Sequence, residues 1–196
     1  MMRDVKSADA EVRSAIPPAA LVVKDIINSA DLAAGTEELT TPAVLGGWLR
    51  SHGLVDTSPR LHEADLALVV AVREGLRQLL LVNAGHDPDT GVLDRCNAAL
   101  RSTPLVVRFD ATGRRALEAA EPRPVATAIA TLLTAVDQAR ADGVWERLKV
   151  CARDECRWAY YDASRNRSGR WCSMTDCGNR VKMKRAYAAR VGRTGE

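Results

Sequence analysis

The sequence is poor in aromatic side chains, and Phe109 is its single phenylalanine. The core is therefore predicted to consist of Leu, Val, Ile and Ala, and the first and last of these favour a mainly α protein. No run of residues approaches the roughly 18 apolar positions that a membrane-spanning helix needs. The amino-terminal residues also lack the apolar segment of a signal peptide, so we expect a cytoplasmic protein with no membrane partner.

Histidine is also scarce, and His52, His62 and His86 lie far apart along the chain. The sequence contains no His-Glu-x-x-His pattern, no phosphate-binding loop and no Gly-x-Gly-x-x-Gly pattern. Each histidine is therefore predicted to lie at the surface or at a helix end. From these absences we do not expect an enzyme.

Apolar periodicity predicts a helical domain at residues 17–142, preceded by a flexible arm at residues 1–16. Its longest helix is predicted at about 59–83, opened by Ser58-Pro59, because apolar residues recur there on one helical face. A further helix opens at Pro124, and a β-hairpin is predicted from strands at 105–109 and 114–119. The predicted fold class is α+β, mainly α, with a small zinc-binding domain at residues 145–196.

The charge of the chain is divided unevenly between its two parts. Residues 1–145 carry 15 basic and 19 acidic side chains, whereas residues 146–196 carry 13 basic and 6 acidic ones. A small cationic module of this kind is suited to contact phosphate groups.

Four of the five cysteines, Cys151, Cys156, Cys172 and Cys177, form two Cys-x4-Cys pairs separated by fifteen residues. Buried free thiols or disulfides are the alternatives, but a reducing compartment disfavours disulfides. We therefore predict one Zn²⁺ per chain, held by these four cysteines in a closed site without catalytic function. Cys96, on a predicted helix, is expected to be a small core residue.

Basic residues surround the second cysteine pair. Gly178 is predicted to turn backbone N–H groups towards a sulfur, and Asn179 to cap a helix from Arg180 to Arg190. The candidate nucleic-acid-binding residues are Arg165, Arg167, Arg170, Arg180, Lys182, Lys184 and Arg185. An ordinary solvated face is the alternative interpretation of this charge, and Arg180 could instead brace the zinc site.

Residues 147–190 resemble the CGNR zinc finger, which is named after the signature that reads here Cys177-Gly178-Asn179-Arg180. The likeness extends beyond the cysteines to Tyr161, Asp162, Ser164, Arg165, Asn166, Trp171, Ser173 and Met174. This resemblance implies that the segment binds zinc and DNA.

Residues 21–140 resemble the ABATE domain, described as a stress-induced transcription regulator. The likeness rests on the segments 26–31, 41–54 and 72–80, and the usual Phe-Val-Asn-Thr stretch is only partly kept, as Ile27-Asn28-Ser29. The resemblance implies a regulator whose helical domain senses a small-molecule effector or forms a homodimer, and whose finger contacts DNA. A finger that binds protein and not DNA is the alternative. Arg73-Glu74 could line a pocket, but a solvated helix edge is favoured.

Overall fold

The structure is a computed structural model that describes residues 15–113 and 115–191, with the backbone alone at residues 185, 189 and 191. Residues 1–14 of the predicted arm lie outside the described part of the chain. Six α-helices occur in the described part: α1 (Pro18–Asn28), α2 (Pro42–Ser51), α3 (Glu63–Asn83), α4 (Thr90–Arg101), α5 (Pro124–Ala141) and α6 (Asn179–Val191). None of these helices has both the length and the hydropathy to cross a lipid bilayer.

The described strands form three antiparallel pairs: β1 (Ala30–Asp31) with β2 (Thr36–Glu37), β3 (Leu105–Phe109) with β4 (Arg115–Ala119), and β5 (Leu148–Val150) with β6 (Ala159–Tyr161). The second pair is the predicted hairpin, in which Leu105 lies opposite Ala119. Gly113 in its turn has a φ of 78°, a left-handed conformation that suits a residue without a Cβ. The predicted mainly α fold with small strand pairs is confirmed.

The longest helix, α3, begins at Glu63 and not at Pro59 as predicted. The carboxylate of Asp65 accepts a hydrogen bond of 2.9 Å from the backbone N–H of His62. Such a bond satisfies one of the free N–H groups at a helix start. The helix therefore starts after His62, and the Pro59 signal marks the extended segment before it.

The hydrophobic core lies between α1, α3 and α5 and is almost entirely aliphatic. Its most buried side chains include Val23, Ile26, Ile27, Val69, Val72, Leu80, Ile129 and Leu132. Trp145 is the one aromatic residue among its described buried members. The prediction of an aliphatic core therefore agrees with the structure.

The same core continues into the zinc-binding segment. Leu148, Val150 and Ala159 of the β5–β6 hairpin are fully buried in it. Ile16, which belongs to the predicted arm, is also buried there. The predicted division between residues 142 and 145 thus falls between elements that share one core, and the division itself stays a prediction.

Helices α3 and α4 approach closely at Gly75. A Cβ at this position would lie 2.4 Å from the Sγ atom of Cys96, which is buried as predicted. The close approach of the two helices therefore depends on a residue without a side chain.

We expect Gly75→Ala to lower the free energy of unfolding by about 1–3 kcal/mol, because overpacking outweighs the better helix propensity of alanine. Gly47 is the matched control, an exposed residue of α2 where an added Cβ meets nothing within 4 Å. Gly47→Ala should raise the free energy of unfolding by up to about 1 kcal/mol. Urea denaturation of the zinc-loaded chain measures both, and equal effects would contradict the close packing at Gly75.

Candidate metal centre

Two short loops bring the four cysteines together. Cys151 directly follows β5, and Cys156 lies in the turn that leads back to β6. Cys177 lies within a single π-helical turn at Met174–Gly178, and Cys172 lies just before this turn. A hydrogen bond of 2.9 Å from the N–H of Ala152 to the carbonyl of Arg170 joins the two loops.

The four sulfur atoms all lie within 4.8 Å of one another, the one such group of potential metal ligands among the described residues. The Sγ atoms of Cys156 and Cys172 are 3.8 Å apart, and those of Cys172 and Cys177 are 3.6 Å apart. Zn–S bonds of about 2.3 Å in a tetrahedron give a sulfur–sulfur edge of about 3.8 Å. The cluster therefore has the size that one zinc ion requires.

Because the thiols lie so close together, the pKa values of Cys151 and Cys172 shift in opposite directions. A hydrogen bond from Cys172 lowers the pKa of Cys151 to about 5. Hydrogen bonding to Cys151 and burial raise the pKa of Cys172. A divalent cation stabilises all four thiolates at once, and zinc prefers such a sulfur set in closed structural sites. The four cysteines thus fit one zinc ion.

Main-chain hydrogen bonds hold the first loop. The N–H of Cys156 donates to the carbonyl of Arg153, and the N–H of Cys151 donates to the carbonyl of Trp158, both at 2.9 Å. Arg157, directly after Cys156, has a φ of 47°. This left-handed conformation is uncommon for a residue with a Cβ, so other contacts must stabilise it.

The second loop is shaped by Ser173 and Gly178. The Oγ atom of Ser173 accepts a hydrogen bond of 3.2 Å from the N–H of Asp176. The N–H of Gly178 donates to the carbonyl of Ser173 at 3.0 Å. A Cβ at Gly178 would lie 3.0 Å from the Sδ of Met174 and 3.2 Å from the ring of Trp171. A side chain here would therefore require Met174 and Trp171 to shift by a few tenths of an ångström.

Helix α6 continues directly from the π-helical turn. The predicted cap by Asn179 is wrong, because its Nδ2 atom donates back to the carbonyl of Thr175 at 3.1 Å. Ser173 provides the cap instead, at the start of the combined turn and helix. Trp158 and Trp171 pack against the cysteine cluster and shield it from water.

A buried ion pair organises the loop between β6 and Cys172. The Nζ of Lys149 donates to Asp162 at 2.8 Å, and the two residues are 6% and 4% exposed. Lys149 also donates to the carbonyls of Arg167 and Gly169. Asp162 accepts hydrogen bonds from the N–H groups of Ser164 and Gly169. The conformation of the loop therefore depends on this pair.

The carboxylate of Asp162 stays ionised although it is buried. Burial acts to raise its pKa, but hydrogen bonds from Lys149, Ser164 and Gly169 outweigh burial and lower the pKa to about 2. Because the folded pKa lies below the unfolded one, the stabilisation is complete above about pH 4 and is lost as the pH falls towards 2.

The structure places six of the seven predicted nucleic-acid-binding residues at the surface of this segment. Arg165, Arg167 and Arg170 lie on the loop before Cys172, and Arg180, Lys182 and Lys184 lie on α6; all six are exposed. The side chain of the seventh, Arg185, lies outside the described residues.

Three of these side chains have acidic neighbours. Arg180 lies 2.5 Å from Asp176, Lys184 lies 3.8 Å from Glu155, and Arg167 lies 3.7 Å from Glu146. Asp176 directly precedes the ligand Cys177, so the Arg180 contact lies beside the second loop. Such exposed pairs contribute little to stability, so the basic groups stay available to other anions.

A groove of about 910 Å³ separates α6 from the two zinc loops. Its charged lining residues are Arg153, Arg170, Arg180 and Lys184, together with Asp154, Glu155 and Asp176. Trp171 also lines it, with the guanidinium of Arg170 lying 5.6 Å from its ring centroid. The groove thus combines an aromatic ring with charges of both signs.

Sequence reasoning missed a buried polar cluster in the helical domain. Arg73 is only 4% exposed, so the predicted solvated helix edge is wrong. It donates to Glu37 and to Glu74, each at 2.8 Å. Arg77, one helical turn further, is 2% exposed. The signal was present, because these arginines at i and i+4 lie among the apolar residues of α3.

Removal of one ligand should abolish zinc binding. We expect Cys172→Ala to lose its zinc and the folded finger, because three thiolates leave the site open. Cys96→Ala, far from the cluster, is the control and should keep one zinc. Elemental analysis of the purified proteins measures the content, and full zinc in Cys172→Ala would contradict the ligand set.

Loss of the buried carboxylate should destabilise the finger at neutral pH. We expect Asp162→Asn to lower the free energy of unfolding by about 3–5 kcal/mol at pH 7, because Lys149 is left as a buried unpaired charge. Glu118→Gln is the control, since its ion pair with Arg108 is exposed and contributes little. Denaturation of the zinc-loaded proteins compares them, and similar losses would show that the Asp162 pair is not important.

Two family models match the chain, and no curated protein matches it. The CGNR zinc finger matches residues 147–190, a range that contains all four cysteines. The model of ABATE, described as "Putative stress-induced transcription regulator", matches residues 22–142, more than half of the chain. Neither is an enzyme family, and both resemblances noted in the sequence are confirmed. The chain belongs to the ABATE family and carries a CGNR zinc finger with a four-cysteine zinc site.

Proposed function

We propose that the protein is a DNA-binding transcription regulator of the stress-response type, in which the zinc finger contacts the phosphate backbone. The observation that carries this proposal is the position of the basic residues. A loop and a helix, both anchored at the zinc site, present six exposed cationic side chains. Zinc would supply no chemistry here beyond fixing these two elements.

Helix α6 has the form of an element that enters a groove of DNA. Its thirteen residues span about 20 Å at 1.5 Å per residue. Its described side chains are exposed or half-buried along the whole helix. An α-helix fits the major groove of B-DNA, which is about 12 Å wide, and Lys182 and Lys184 would then meet phosphates on its walls.

The loop before Cys172 supplies a second set of contacts. Arg165, Arg167 and Arg170 are exposed on it, while the buried pair of Lys149 and Asp162 fixes its backbone. A loop that is ordered before binding loses less conformational entropy when it binds. The loop and α6 could therefore bind neighbouring phosphates without rearrangement.

The helical domain would act in the cytoplasm as the regulatory part, by sensing a small molecule or by forming a homodimer. Its family description supports a regulatory role. A half-open pocket of about 180 Å³, lined by Lys24, Trp48, His52 and Trp158 among others, lies where it meets the finger. This pocket has room only for a small polar effector.

A second candidate function is binding of a protein partner through α6. Met183 and Tyr187 are spaced one helical turn apart and are 72% and 71% exposed. Exposed apolar residues at this spacing are typical of helices that bind in grooves of other proteins. A salt series separates the two candidates, because binding through phosphates weakens steeply with salt.

The charges of α6 should determine both the affinity for duplex DNA and its salt dependence. We expect Lys182→Ala with Lys184→Ala to weaken binding and to reduce the slope of log K against log salt by up to about 2, roughly 0.9 per lost phosphate contact. Fluorescence anisotropy with a labelled duplex, at several salt concentrations, measures both quantities.

The matched control removes the same charge from the helical domain. Arg60 and Arg101 are exposed, and Arg60→Ala with Arg101→Ala should leave the salt slope unchanged. If the α6 variant binds with the wild-type slope, α6 does not contact DNA and the protein-partner function is favoured. Unchanged zinc content in both variants shows that the finger is intact.

A further inference from the structure

The side chain of Asn28, at the end of α1, makes two hydrogen bonds with the main chain of β6, as the backbone of a neighbouring strand would. Its Nδ2 atom donates to the carbonyl of Ala159 at 2.9 Å, and its Oδ1 atom accepts from the N–H of the same residue at 2.7 Å. Ala159 is fully buried in β6 and lies opposite Val150 on its other side. Since buried backbone groups need partners, Asn28 completes the outer edge of the hairpin.

Arg77 of α3 holds the first zinc loop. Its guanidinium donates to the carbonyl of Arg157 at 3.0 Å, to the carbonyl of Ile27 at 2.8 Å and to Glu74 at 2.9 Å. Arg157 directly follows the ligand Cys156 and has the left-handed φ of 47°. The bond from Arg77 therefore stabilises an unfavourable backbone conformation next to a zinc ligand.

A third contact comes from Asn83 at the end of α3. Its Nδ2 atom donates to the carbonyls of Trp145 at 2.9 Å and Leu148 at 3.0 Å. All three side chains of the helical domain thus bind main-chain atoms within residues 145–159. Such contacts depend on the backbone conformation of the finger and not on its side chains.

We propose that Asn28 and Arg77 are positioning residues for the zinc site, and that zinc binding is thermodynamically linked to docking of the finger on the helical domain. Zinc fixes the loop between Cys151 and Cys156. The same loop conformation presents the carbonyl of Arg157 to Arg77 and the edge of β6 to Asn28.

The linkage works in both directions. A change in the helical domain that weakens docking weakens zinc binding by the same factor, and zinc loss weakens docking equally. A conformational change in the helical domain can therefore alter zinc binding through the contacts of α1 and α3 with the finger. This inference holds whether the finger binds DNA or a protein partner, so it does not depend on the proposed function.

Zinc release from the full chain tests the positioning role. Asn28→Asp keeps the size of the side chain but replaces the amide donor with an oxygen that faces the carbonyl of Ala159. With excess chelator and a chromophoric zinc indicator, we expect release to be about ten-fold faster or more. Asn97→Asp, the same change at an exposed residue of α4, is the matched control and should release zinc as the wild type does.

A second control separates positioning from general stability. Val69 is a core residue of α3 that is 1% exposed and lies about two turns before Arg77. Val69→Ala should weaken the fold without changing the rate of zinc release from the folded protein. If it accelerates release as much as Asn28→Asp does, or if Asn28→Asp releases zinc at the wild-type rate, the positioning role is overturned.

Hydrogen exchange of the wild-type chain, with zinc and after chelation, tests the reverse direction. We expect faster exchange in the last turn of α1, residues 25–28, because Asn28 loses its hydrogen bonds to Ala159. Helix α4 serves as the internal reference. Faster exchange in α1 with unchanged exchange in α4 supports the linkage, whereas exchange confined to the finger, or raised equally in α1 and α4, overturns it.

Discussion

Repulsion between four thiolates is the constraint on which the zinc finger depends. The sulfur atoms of Cys151, Cys156, Cys172 and Cys177 lie within 4.8 Å of one another. Their closeness lowers the pKa of Cys151, through a hydrogen bond from Cys172, and raises the pKa of Cys172. A zinc ion allows all four to ionise and joins the two loops that carry them. These two zinc loops in turn determine the positions of α6 and of the loop that carries Arg165, Arg167 and Arg170.

Among its described residues, the finger has only a small core of its own, formed by the cysteines and two tryptophans. Its small sulfur cluster is covered by Trp158 and Trp171, while its β5–β6 hairpin is buried among the helices. A segment of this size buries too little apolar surface to fold on burial alone. Zinc at one end and the helical core at the other therefore act together, and Asn28, Arg77 and Asn83 fix the orientation between them.

Charge is used in two different ways in this finger. Lys149 and Asp162 are buried and paired, so they determine a loop conformation and are not available to a ligand. Arg165, Arg170 and Lys182 are exposed beside that loop or on α6. A count of basic residues in the sequence does not separate buried, paired side chains from exposed ones. Only the exposed ones support the proposed contact with DNA.

The features that the sequence determined are those governed by local spacing. The two Cys-x4-Cys pairs, the hairpin at Leu105–Ala119 and the apolar faces of α3 and α5 all follow from residues close together in the chain. The family signature at residues 177–180 likewise needs only adjacent residues. These features predicted the zinc site and the mainly α fold.

The remaining features depend on residues that lie far apart in the chain. Asn28 meets Ala159 across 131 positions and Arg77 meets Arg157 across 80, so no local pattern reveals either partner. The spacing of Arg73 and Arg77 along α3 points to the buried face, but the partners of Arg73, Glu37 and Ser29, lie far away in the chain. Periodicity gives the face of a helix, but only the packed structure shows what that face contacts. The sequence by itself thus determined the ligands of the zinc ion, and the tertiary structure decided how the finger is held.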